Sequence, residues 1–166
     1  MKVNRTHSRT SASESFNILS ISPLADDHAT LGLMLRPTAL EPRPQSTFEI
    51  LSALTLSTAL RSLKEHICPV AICERDLTLG SWKDLLEYVQ YLENPPLVII
   101  VSRDADDRLW AEALNLGAYD VLAKPFDQAE IVRVVASAWA KWFRDNQTVA
   151  RPTRNSQTVK RIATVY

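Results

Sequence analysis

The hydrophobic positions fall into short β-branched runs separated by stretches of helical period. Leu97-Val98-Ile99-Ile100-Val101 is unbroken apolar chain, the pattern of a strand buried on both faces. Val70-Ala71-Ile72-Cys73 is a second such run, expected near the centre of a sheet. Phe16–Ile21 reads as the first strand and ends at Ser22-Pro23, because proline has no N–H to give a ladder. Phe48-Glu49-Ile50 and Val121-Leu122-Ala123 complete a set of five.

Each strand is followed by a helical pattern. Asp26-Asp27-His28 open a short helix with Leu31, Met34 and Leu35 inward, and both acids read as capping groups, the other reading being that they reach the strand-end pocket. Pro37, Pro42 and Pro44 then make Pro37–Thr47 a loop. Thr55, with Thr58 behind it, opens a helix whose stripe is Ala59, Leu60, Leu63 and Ile67, stopped by Pro69. Ser81 with Asp84 at N3 makes a capping box ahead of Leu85, Leu86, Val89 and Leu92, and Asn94-Pro95-Pro96 closes that helix. Asp104 is expected to cap the next, with Asp107 at N3 and Gly117 in the left-handed position at its end. Asp127 with Glu130 opens the last, from Gln128 to about Phe143, on which Ile131, Val134, Val135, Ala138, Trp139 and Trp142 form one face.

Strands alternating with helices across short joints predict an α/β protein, a doubly wound five-stranded parallel sheet. Functional groups in such sheets gather at the carboxyl ends of the strands. That places Ser22-Pro23, Glu74, Ser102 and Lys124 around one pocket.

Composition narrows the chemistry. Lysine plus arginine and aspartate plus glutamate number 19 each, so the molecule as a whole has no strong field for nucleic acid or anionic lipid. A length of 166 residues suits one domain: a polar tail over 1–15, a folded unit over 16–143 and a flexible tail over 144–166, made basic by Arg151, Arg154, Lys160 and Arg161. Cys68 and Cys73 lack ligand or disulfide spacing and read as reduced and buried. Without a signal peptide's apolar stretch, or an apolar run near the roughly 20 residues of a membrane span, a cytoplasmic protein is expected. Gly32, Gly80 and Gly117 form no phosphate-binding loop, His7, His28 and His66 have no metal-ligand spacing, and no nucleophile motif is present. An enzyme is not expected.

Ser102 at a strand end, the helix closed by Leu116-Gly117-Ala118, and Lys124-Pro125-Phe126 seven residues past the glycine together resemble the receiver domain of two-component response regulators. The resemblance covers about Phe16–Lys141 and implies strand order 2-1-3-4-5 with helices on both faces. In that family two acids after the first strand hold Mg²⁺ and an aspartate after the third accepts a phosphoryl group. A Ser or Thr after the fourth strand and a Lys after the fifth bind the phosphoryl oxygens. Ser102 and Lys124 match, whereas Ser22 and Pro23 stand at the acidic pair and Glu74 at the acceptor.

These departures imply a degenerate receiver with no Mg²⁺ or other cofactor and a role in protein–protein contact, with Glu74 and Lys124 either a fixed ion pair or, equally, a solvated loop residue and a family relic. Asp76 is the alternative acceptor, and a working receiver using Asp76 or Glu74 is the second reading. A flavodoxin-like scaffold touching nucleic acid through the basic tail is the third. Val121 stands where the family places its switch aromatic, with Tyr119 two residues earlier on the same side of the strand. Trp110, Val121 and Trp142 mark the expected partner face, for a histidine kinase, a downstream effector or a second copy; a core tryptophan is the other reading of Trp110.

Overall fold

The structure is a computed structural model that describes residues 15–36 and 47–149. Five strands alternate with five helices: β1 (Ser15–Ile21), α1 (Ala25–Met34), β2 (Thr47–Ala53), α2 (Leu56–Glu65), β3 (Val70–Glu74), α3 (Trp82–Val89), β4 (Leu97–Ser102), α4 (Asp107–Asn115), β5 (Asp120–Ala123) and α5 (Gln128–Val149). All strand pairs are parallel, and their order is β2-β1-β3-β4-β5. The expected doubly wound sheet is therefore the observed one.

Alternation along each strand sends successive side chains to opposite layers. Leu19, Ile21, Ala71, Cys73, Val98, Ile100 and Val121 pack against α2, α3 and α4 through Ala59, Leu63, Leu85, Leu86, Val89, Leu109 and Ala113. Ile18, Val70, Ile72, Ile99, Val101 and Leu122 pack against α1 and α5 through Leu31, Ile131, Val134, Val135 and Ala138. β3 is buried along its whole length, as a strand in mid-sheet must be.

Local chemistry sets the helix ends. Thr55 accepts from the Thr58 amide, and Ser81 with Asp84 forms the full capping box. Asp127 accepts from the Glu130 amide at the start of α5. Gly117 has φ of 98°, and the Ala118 amide returns to the Ala113 carbonyl, closing α4.

Several expectations are corrected. α4 is capped by Asp106, whose side chain accepts from the Leu109 amide, and Asp107 is its first helical residue. Asp104 instead lies in the preceding turn, its amide bonded to Ser102 Oγ. α2 stops at Glu65 because His66 is already extended, so Ile67 leaves the stripe and is 61% exposed. Neither Asp26 nor Asp27 caps α1, whose N-cap Leu24 makes no side-chain bond. α5 runs past Phe143 to Val149, its extra turns carrying a Lys141–Asp145 ion pair and a bond from Asn146 to the Trp142 carbonyl. The flexible tail cannot then begin at residue 144, and Ser15 belongs to a strand. The remainder of both expected tails and the proline-rich segment over 37–46 lie outside the described residues.

Candidate functional site

The site is built at the carboxyl ends of β1, β3, β4 and β5. β5 ends at Ala123 and delivers Lys124, whose amide still bonds the Ser102 carbonyl of the neighbouring strand. The Lys124 side chain is only 7% exposed, and its Nζ donates to Glu74 Oε2 and to Asp27 Oδ2. Its ammonium also lies 5.5 Å from the centre of the Phe126 ring. Glu74, the last residue of β3, is buried, and its second oxygen accepts from the Asp76 amide at 3.1 Å. One cation thus stands between two carboxylates, one from the end of β3 and one from α1.

Asp27 is the member that sequence reading assigned to capping. One turn into α1, it faces the crevice and also accepts from Ser22 Oγ. Ser22 is fixed at every polar atom. Its amide donates to Ala53 O at 3.0 Å, its carbonyl accepts from His28 Nε2 at 3.1 Å, and its hydroxyl accepts from the Leu24 amide at 3.1 Å. Two residues earlier on the same face of β1, Ser20 Oγ meets His28 Nδ1 at 2.7 Å. Since a carbonyl only accepts, Nε2 carries the proton, and in the neutral ring Nδ1 accepts from Ser20.

Ser102 is buried at the end of β4, where its hydroxyl accepts from the Asp104 amide and holds the β4–α4 turn. Beside the acid–lysine cage an open cleft of about 450 Å³ is lined by Asp27, Thr30, Arg103, Lys124, Pro125 and Phe126. Thr30 follows Asp27 at i+3 on the same helical face, which is the signal that could have placed it. Asp76 does not join the pocket. The chain leaves β3 after Glu74, and the Asp76 side chain is 74% exposed, 3.4 Å from Arg75.

The partner-face residues separate. Val121 is 3% exposed and lies in the core with Leu109 and Ala113, so it presents nothing to a partner. Tyr119 packs in the opposite layer, not on Val121's side, because it precedes the strand; its hydroxyl meets Ser137 Oγ on α5 at 2.8 Å. Trp142 is half-buried and donates to the Pro95 carbonyl ahead of β4, at the end of the sheet away from the cage. Trp110 is 43% exposed on α4, with Leu114 one turn on also exposed.

The donor set suits a hard divalent ion badly. Such an ion takes several oxygens, preferably from acids, yet both carboxylates are engaged by the ammonium and the Ser22 hydroxyl already donates to one of them. Among the described residues no group of three or more His, Cys, Asp or Glu side chains is placed to hold a metal.

Sheet order and crevice together define a flavodoxin-like α/β protein with a lysine-centred strand-end site. A match to the response regulator receiver domain model over residues 23–136 makes the assignment specific, and the chain belongs to that family. It is similar in fold to the signal receiver domain of a protein designated a Luxo repressor from Vibrio parahaemolyticus, at 17% identity and TM-score 0.70, covering 83% of this chain and 100% of that one. It is similar also to the signal receiver domain of an HD domain-containing protein from Pseudomonas fluorescens Pf-5, at 22% identity and TM-score 0.65, over 79% and 99% of the two chains. A CheY-like receiver domain protein from Methanospirillum hungatei JF-1 matches at 20% identity and TM-score 0.62, over 80% and 99%. No curated protein matches the chain. Among the described residues no helix is long and apolar enough to cross a membrane.

Proposed function

We propose that this receiver domain acts without phosphoryl transfer, as a cytoplasmic, non-enzymatic docking module of a two-component pathway whose site is held in one state by Lys124. The observation that carries the reading is the double ion pair of Lys124 with Asp27 and Glu74. Phosphoryl transfer to a carboxylate needs a divalent ion to neutralise the equatorial oxygens, and then a cation to receive the product's charge. Here the Lys124 ammonium is already balanced by two acids, Ser22 and Pro23 add no carboxylate, and Glu74 replaces the acceptor aspartate. Val121, β-branched and buried, has no aromatic rotamer with which to report a change in the pocket, while Tyr119 is tied to Ser137. Binding then passes through a permanent surface, for which Trp110 with Leu114 on α4 supplies an aromatic and aliphatic anchor. The occupant is a protein of the same pathway, a kinase, an effector or a second copy.

Incubation with acetyl phosphate and Mg²⁺ tests this directly. Intact mass and tryptophan fluorescence should not change. A phosphoryl adduct mapped to Glu74 or Asp76 overturns the reading and makes the domain a working acceptor.

A further inference from the structure

Buried polar groups in a strand that faces an apolar layer need a reason. Ser20 in β1 and Ser22, the residue after its end, are in step with Ile18, which packs with Leu31 in the α1-facing layer. Both bond to His28, itself buried, which reaches back from the first turn of α1. Its two ring nitrogens therefore clamp the end of β1 and the residue after it to the start of α1. Ser22, held by this clamp through its carbonyl and by Ala53 through its amide, donates to the same Asp27 oxygen that accepts from Lys124.

We infer that His28 is the positioning residue of the cage: by fixing Ser22, it aims Asp27 at Lys124 and so keeps the ammonium shared between two acids. The inference rests on the proposed reading of Lys124, Asp27 and Glu74 as a fixed cage. A ring that only filled space would leave the cage intact when replaced by an apolar ring of similar size. One that acts through its hydrogen bonds would not. Phe at position 28 removes both bonds, and Ala at position 20 removes only the Nδ1 partner. Gln at 28 carries an amide nitrogen near where Nε2 stands and keeps the bond to the Ser22 carbonyl.

The test is competitive acetylation of the full chain with N-hydroxysuccinimide acetate, read by peptide mass spectrometry at Lys124 and at exposed Lys64. N-ethylmaleimide labelling of Cys73, fully buried in the opposite layer, reports global opening in the same samples. In the wild type Lys124 should acetylate at least about tenfold more slowly than Lys64, as a group reached only through local opening. Ser20→Ala, which loses one hydrogen-bonded restraint, should speed Lys124 by about fivefold, and His28→Phe, which loses both, by more, with Lys64 and Cys73 unchanged. His28→Gln, which keeps the bond to the Ser22 carbonyl, should speed Lys124 no more than Ser20→Ala does.

If wild-type Lys124 reacts as fast as Lys64, the fixed cage itself is wrong. If it is protected in the wild type and equally protected in folded His28→Phe and Ser20→Ala, the cage stands and the role of His28 falls. It falls too if Cys73 labelling rises in step with Lys124, since the effect is then global. Should His28→Phe not fold, Ser20→Ala decides alone.

Discussion

Lys124 shows how a charge behaves when it is enclosed by more acid than it can neutralise. With a side chain 7% exposed between Asp27 and Glu74, its removal leaves two neighbouring carboxylates without a counter-ion. Lys124→Met should therefore cost about 3 kcal/mol in urea unfolding, the range for stranding a buried charge. Glu74→Gln keeps a hydrogen-bond acceptor for Lys124 and leaves one acid per ammonium, so its loss should be smaller, about 1 kcal/mol. The reverse order would mean that the ammonium draws its stability from elsewhere. The two thiols give a pH dependence of opposite character. Burial pushes Cys68 from its ordinary 9.0 up to about 11; burial, and then the Glu74 charge, push Cys73 up to about 12. The native state holds these protons more tightly than the unfolded chain, so their contribution is complete below pH 9 and is lost as pH rises toward 11 and 12. Urea midpoints should fall across that alkaline window, and a Cys68→Ala, Cys73→Ala variant should show a shallower fall. Native protein at neutral pH should leave both thiols unlabelled by a disulfide reagent that labels both in denaturant.

At the scale of elements, the turns carry more information than the strands they join. Gly80 has φ of 84°, and a Cβ there would meet Leu56 Cδ2 at 2.6 Å; Gly117 has φ of 98° but open space around the missing Cβ. Gly117→Ala should thus cost about 1 kcal/mol from backbone conformation alone. Gly80→Ala should cost more, about 2 kcal/mol, because the β3–α3 loop must also shift off the start of α2. Equal losses would show that Leu56 simply swings aside. Gly117 was legible because a glycine after a helical period has one conformational use, whereas nothing local distinguishes Gly80. The same contrast runs through the helix starts. Ser81 with Asp84 was readable as a cap since one spacing satisfies two amides. Asp104 reads as the cap of α4 with Asp107 at N3, and only the path of the chain out of β4, with Ser102 Oγ on the Asp104 amide, leaves that place to Asp106. Asp27 was read as a capping acid because its partner is 97 residues away in sequence. His28 looked like an isolated histidine because its partners lie on a strand whose inward-facing serines gave the only hint.

Across the whole molecule, the five strands and their alternation with helices followed from hydrophobic period, whereas their order was implied by the receiver resemblance. Charge balance in the crevice did not follow, because it depends on which acids the turns aim inward. That balance predicts no effect of divalent ions on the wild type and a stabilising one on a single variant. In the wild type the ammonium sits between the carboxylates a metal would require, so about 10 mM Mg²⁺ should leave the urea midpoint where an equal ionic strength of NaCl with chelator leaves it. A site of about 1 mM affinity would instead add about 1.4 kcal/mol at that concentration. Lys124→Met removes the resident cation and leaves Asp27 and Glu74 facing each other, a pair that a hard cation relieves. Mg²⁺ should then restore part of the variant's lost stability, and Asp27→Asn in the same background should abolish the restoration. Mg²⁺ stabilisation of the wild type by about 1 kcal/mol or more would show that an ion can draw the acids off Lys124, and the site would be a metal-dependent one after all.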